Sequence, residues 1–199
     1  MKVRIAALAV LTLFGLSACV TRTVQRTAAD QQTDLSGRWN DTDARLVAEE
    51  MIEDLLRRPW LERFQSNEAR EPVVIVGRVR NLSEEHIDTT TFIKDIEREL
   101  INSGMVRFVA SADERGALRD ERLDQQGQAS PETLARLGEE TGADFMLLGT
   151  IASNVDAIDG ERSVFYQVNL ELVSIENNEK VWIGEKEIKK LIEQRRARL

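Results

Sequence analysis

A single cysteine, Cys19, decides how this chain can hold itself together. It closes Leu16-Ser17-Ala18-Cys19, a lipobox, which is a small-residue processing site ending in cysteine. Before it lie a basic start (Lys2, Arg4) and an apolar run from Ile5 to Leu16. That run is too short to span a bilayer and too apolar for a soluble surface, so it reads as a signal-peptide core. An ordinary secretory signal ends at an A-x-A-like site. Cysteine at this place instead marks a bacterial lipoprotein, in which cleavage leaves Cys19 as the first residue with a diacylglyceryl group on its thiol. No thiol then remains for a disulfide, a thiolate metal site or a nucleophile. The fold must rest on its apolar core.

Removing residues 1–18 leaves about 180 residues, enough for one domain of usual size. Hydrophobic residues make up 42% of the chain and charged residues 31%, a balance that folds. Two of the 27 basic residues leave with the signal, so 25 face 35 acidic ones and the mature net charge is −10. Such a charge repels nucleic acid and anionic lipid, so anchoring is left to the lipid. Acylation contributes about 0.8 kcal/mol per buried CH₂. Val20 follows the cysteine where aspartate would retain a lipoprotein at the inner membrane. By the enteric sorting rule the expected location is the outer membrane, on its periplasmic face.

Residues 19–40 read as a lipidated N-terminus and flexible tether, polar and without periodicity. A domain over 41–191 follows, then a charged tail over 192–199. Residues 43–58 are expected to be helical, with Ala44, Val47, Ala48, Met51, Ile52 and Leu55 on one face. Asp41 or Asp43 caps the start and Pro59 ends the helix. Trp39 and Trp60 bracket it and are expected to pack its ends onto the domain. Residues 73–79 are a nearly continuous apolar strand, expected to be internal. The polar loop Asn81-Leu82-Ser83-Glu84-Glu85-His86 follows. Asp88 or a threonine after it caps a helix carrying Phe92, Ile93, Ile96 and Leu100, which Gly104 ends. Residues 106–110 form a second strand, completing a right-handed βαβ unit.

Ser111 and Glu114 make a capping box for a polar helix over 113–125. Ser130-Pro131 starts another, running to about Gly142. Residues 145–151 read as a buried third strand. Residues 164–173 alternate cleanly: Val164, Tyr166, Val168, Leu170 and Leu172 face one way, and Gln167, Asn169 and Glu171 face the other. One face of that strand is therefore wet or covered by something polar. Asn177-Asn178 turns into a fifth strand around Val181 to Ile183. The fold class is α/β (α+β): a βαβ unit followed by an antiparallel meander, giving one mixed sheet of about five strands packed with helices.

Chemistry is sparse. The one histidine, His86, has Glu84, Glu85 and Asp88 nearby, but at no recurrent ligand spacing, and no metal is expected. There is no nucleophile elbow, P-loop or dinucleotide fingerprint. The pairs Glu49-Glu50 and Glu139-Glu140 sit on helices, where neighbours diverge by about 100°, so they are solvated faces. The basic run from Lys189 through Arg198 reads as a charged terminus. No enzyme activity and no cofactor are expected; the composition suits a binding module. Arg78, Arg80 and Asn81, at the end of the first strand, are side chains a core does not need. They are the candidate partner-binding residues, the arginines being suited to clasping carboxylates. A solvated strand end is the other reading of the same residues.

Five segments in order resemble a known family, the LpoB-type lipoprotein activators of penicillin-binding proteins. They are Pro72-Val73-Val74-Ile75-Val76-Gly77-Arg78-Val79-Arg80-Asn81; the helix from Thr91 to Gly104 with Val106-Arg107-Phe108-Val109; Thr141-Gly142-Ala143-Asp144-Phe145-Met146-Leu147-Leu148-Gly149; Tyr166 to Val173; and Asn178-Glu179-Lys180-Val181-Trp182-Ile183-Gly184. The resemblance covers about residues 43–189. It implies a fold like the N-terminal domain of the translocation protein TolB. It implies as partner an inner-membrane bifunctional penicillin-binding protein, whose glycosyltransferase and transpeptidase activities the lipoprotein raises by docking. It also implies a monomer; that it binds no nucleic acid follows from its charge, and that it meets the membrane through a lipid anchor follows from the lipobox. One departure stands out: Pro59, Pro72 and Pro131 are the only prolines, so the tether lacks the stiff segments of enteric members and has less reach. A subunit like that of the curli secretion channel, or a general TolB-like envelope scaffold, is the alternative.

Overall fold

The computed structural model describes residues 26–28, 31, 34, 36–110, 114–116, 118, 120, 142–158 and 160–193. Cys19 and its lipobox, Ser111, the helix opened by Ser130-Pro131 and the tail beyond 193 lie outside them. Of the polar helix expected over 113–125, residues 114–116, 118 and 120 are described and are helical. The chain divides into two units, residues 1–31 and 32–199. In the first, the Gln31 N–H donates to the Ala28 carbonyl at 3.1 Å.

The first helix of the second unit, α1, spans Asp41–Leu56. Its cap is Asn40, not Asp41 or Asp43. The Asn40 side chain accepts from the Asp43 N–H at 3.1 Å, and the Asp43 carboxylate accepts from the Asn40 N–H at 3.0 Å. Asp43 is thus the reciprocal partner of a capping box, three residues into the helix. Pro59 does not merely stop this helix. It is the first residue of a second, α2 (Pro59–Glu68), where its missing N–H costs nothing. The Trp60 indole N–H donates to the Leu55 carbonyl at 2.7 Å, which also accepts from the Arg58 N–H at 3.3 Å, tying α2 to the end of α1.

Strand β1 (Val73–Asn81) leads through α3 (Thr89–Ser103) to the two-residue strand β2 (Arg107–Phe108). Asp88 caps α3, and Gly104 closes it at φ +63°, which a glycine adopts without a Cβ clash. Three strands of 14 residues each complete the sheet: β3 (Phe145–Ile158), β4 (Glu161–Ser174) and β5 (Lys180–Glu193). The order is β2-β1-β3-β4-β5, parallel from β2 through β3 and antiparallel beyond. The expected βαβ unit and meander are both present. The last strand is far longer than the three residues read from sequence.

Helices α1 and α3 share one face of the sheet. Val47, Ala48, Met51, Ile52 and Leu55 from α1 and Phe92, Ile96 and Leu100 from α3 close onto Val74, Val76, Leu147, Ile151 and the even-numbered apolar residues of β4. Burying each valine, leucine, isoleucine, methionine or phenylalanine side chain among them stabilises by roughly 1.5–3 kcal/mol. At the far end, a bidentate pair from Arg70 to Asp144 (2.7 and 2.6 Å) ties the start of β1 to the start of β3. The Arg70 guanidinium holds the Asp144 carboxyl below the usual carboxylate range, and the Val73 N–H helps against the opposing effect of burial.

Candidate partner-binding face

The sequence Val73-Val74-Ile75-Val76-Gly77-Arg78-Val79-Arg80 contains a parity problem. Val74 and Val76 face the helices, opposite Phe145 and Leu147. Strict alternation would next send Arg78 and Arg80 into the core. A β-bulge between Val76 and Val79 adds one residue and reverses the parity. Val79 returns to the core opposite Gly149, and Arg78 and Arg80 are exposed on the face opposite the one that α1 and α3 cover. Gly77 suits the bulge: a Cβ there would lie 2.8 Å from Leu148 and 2.9 Å from Met146 on that outer face.

The outer face runs across four strands. Arg80 is in register with Thr150, Thr150 with Asn169, and Asn169 with Glu185. One row over, Leu148 pairs with Glu171 and Glu171 with Ile183. Arg78, Arg80, Leu148, Thr150, Asn169 and Glu171 line a shallow groove of about 270 Å³. The arginines and the wet side of β4, two separate readings from the sequence, are therefore one surface. Charge is graded across it. Glu171 is neutralised by Lys180 at 2.8 Å, and Gln167 donates to Glu185 at 2.5 Å. Neither Arg78 nor Arg80 has an ion-pair partner among the described residues.

Asn81 lies at the margin, half-buried and in register with Ile151. Its Nδ2 donates to the Glu85 carbonyl at 2.7 Å, and its Oδ1 accepts from the Ser83 N–H at 2.9 Å and the Ser83 hydroxyl at 2.7 Å. Those bonds close the loop over residues 81–86 and leave the carboxamide little capacity for a partner.

No local pattern marks the place of Glu85. Its carboxylate turns inward and accepts from the Tyr166 hydroxyl at 2.8 Å and the Trp39 N–H at 3.3 Å. Tyr166 is fully buried, and burial, then the hydrogen bond to Glu85, push its phenol well above the ordinary tyrosine value. His86 is exposed, and among the described residues no three His, Cys, Asp or Glu side chains gather closely enough to hold a metal ion.

A second cleft, of about 570 Å³, lies at the opposite end of the sheet beside α2. Its floor is Trp60, Phe64 and Phe145, whose rings meet edge-on at 5.2 and 5.3 Å. Trp60 and Phe145 are buried, so their faces are spent on packing. No helix among the described residues is long and apolar enough to cross a membrane.

Residues 43–188 match the family described as peptidoglycan-synthase activator LpoB. No curated protein sequence matches the chain significantly. Among solved structures the chain is similar to the LpoB C-terminal domain from Escherichia coli, at 14% identity over 66% of this chain and 94% of that one, with a TM-score of 0.39. It is similar to the NMR structure of E. coli LpoB at 15% identity over 90% and 85%, with a TM-score of 0.43. It is also similar to lipoprotein GNA1162 from Neisseria meningitidis at 14% identity over 60% and 83%, with a TM-score of 0.39.

Proposed function

Because the chain belongs to the LpoB family of peptidoglycan-synthase activators, we propose that it docks through Arg78 and Arg80 on a bifunctional, inner-membrane penicillin-binding protein and raises its activity. The observation that carries the contact is the pair of exposed arginines, without ion-pair partners among the described residues, on a paired strand in an acidic chain. A guanidinium fork held by a strand meets a carboxylate with little ordering cost. The acidic background repels wrong surfaces, so a local basic pair gives orientation as well as attraction. Activation then needs no chemistry from this chain. Binding one conformation of the synthase better than another shifts its equilibrium by the difference in affinity. In this reading the protein acts as a monomer, held by acylated Cys19 at the periplasmic face of the outer membrane.

The test is titration of purified synthase with wild type and Arg80→Glu, with thermal melts alongside. Arg80→Glu should bind about 10-fold more weakly or worse, since one well-placed charge pair is worth on the order of 1.5 kcal/mol. Its melt should be unchanged, because the side chain is exposed. Equal affinity with an equal melt would move the contact off this face.

A further inference from the structure

Asp34 and residues 36–40 do not behave as tether. The Lys190 ammonium has three donors and uses all of them: 2.6 Å to Asp34 Oδ1, 2.6 Å to Asp43 Oδ2 and 3.1 Å to the Arg38 carbonyl. Its side chain is only 9% exposed and that of Asp43 only 8%. Asp34 also accepts from Asn40 Nδ2 at 2.7 Å. Gly37 sits at φ +66°, and a Cβ there would lie 2.3 Å from Ile192, so this residue lets the segment lie down against β5. Trp39 then turns its ring edge-on to Phe92 (6.1 Å) and Tyr166 (5.6 Å). Its N–H meets the same Glu85 oxygen that Tyr166 holds.

Glu85 is the far end of the loop that begins at Asn81, one residue beyond Arg80. Asn81 closes that loop onto the Glu85 carbonyl, and the Leu82 N–H donates to the Ile151 carbonyl at 2.7 Å. We propose that Asp34 and residues 36–40 are a clasp, locked by Lys190 and Trp39, that holds the loop at 81–86 in place and so positions the end of β1 for docking. The inference rests on the reading of Arg80 as a synthase contact. The clasp's grip on the loop stands or falls separately.

Both parts are read in the full chain with Gly37→Ala, Lys190→Met, Trp39→Phe and Arg80→Glu. Amide hydrogen exchange is followed by segment, and each variant is titrated with purified synthase. Gly37→Ala and Lys190→Met should speed exchange at 82–88 about 10-fold or more, with the centres of β3 and β4 unchanged, and should weaken synthase binding several-fold. Trp39→Phe keeps an aromatic edge and the backbone N–H, so it should stay close to wild type in both. Arg80→Glu should lose affinity without faster exchange. If Lys190→Met unfolds because Asp43 loses its ammonium partner, Gly37→Ala decides, since it removes no charge. Unchanged exchange at 82–88 in Gly37→Ala, or in a folded Lys190→Met, overturns the clasp, whatever Arg80 does. Faster exchange with full affinity overturns its positioning role. Full affinity in Arg80→Glu overturns the docking reading and leaves the clasp standing.

Discussion

At the scale of single residues, Trp182 shows how one side chain closes a junction. It lies on β5, 6% exposed, and its indole N–H donates to Asp54 of α1 at 3.0 Å. Gly184, two residues on and on the same face, is the space its ring needs: a Cβ there would come within 2.2 Å of the indole. Asp54 is also bonded to Arg58 at 2.5 Å, and that bond first, then the one to Trp182, holds its carboxyl below the usual range. Removing the indole therefore leaves no orphaned carboxylate, and the loss is one of packing. Trp182→Ala should cost about 3–5 kcal/mol, measured as a shift of the urea midpoint at unchanged slope. Wild-type stability with lost synthase binding would make Trp182 a contact residue instead.

At the scale of elements, the bulge in β1 predicts two opposite outcomes from deletions of one residue. Without Gly77, Arg78 falls opposite Leu148, Val79 stays inward and Arg80 outward, so the domain should still fold. The cost should be about 1–3 kcal/mol for crowding of Leu148 and Met146. Without Val79 the bulge remains and Arg80 turns into the core, which should abolish cooperative unfolding in a thermal melt. The same parity explains what the sequence could show. α1, β1 and α3 were legible because their apolar residues repeat at 3.6 or run unbroken. β4 was legible because it alternates against a wet face. β5 was not: beyond Gly184 its inward positions are Lys186, Ile188, Lys190 and Ile192, two of them charged, and the two isoleucines lie four apart, as they would on a helix. α2 is hidden because a proline that stops one helix can equally begin the next. Arg78 and Arg80 could be picked out as charges a core rejects, but the clasp could not. It depends on Lys190 meeting Asp34 and Asp43 across some 150 positions, a pairing that no local pattern encodes.

At the scale of the whole molecule, the proposed anchor at Cys19 and the proposed docking arginines lie far apart in the sequence. The domain's core contains no cysteine, so changing Cys19 should leave the fold untouched. Cys19→Ala should yield a protein that is unprocessed or soluble, read by gel mobility and membrane fractionation; wild-type behaviour in both would rule out lipidation. Its affinity for synthase in solution should match that of the wild-type domain, because Arg78 and Arg80 are held by the sheet. The placement of the three tryptophans has a further use. Trp39 sits on the clasp, Trp60 between α1 and α2, and Trp182 between β5 and α1. The chain thus carries an intrinsic fluorophore at each of three junctions. With two of them replaced by phenylalanine, the emission of the third would report one junction alone. A red shift of Trp39 preceding that of Trp182 during denaturation would show the clasp letting go before the sheet does.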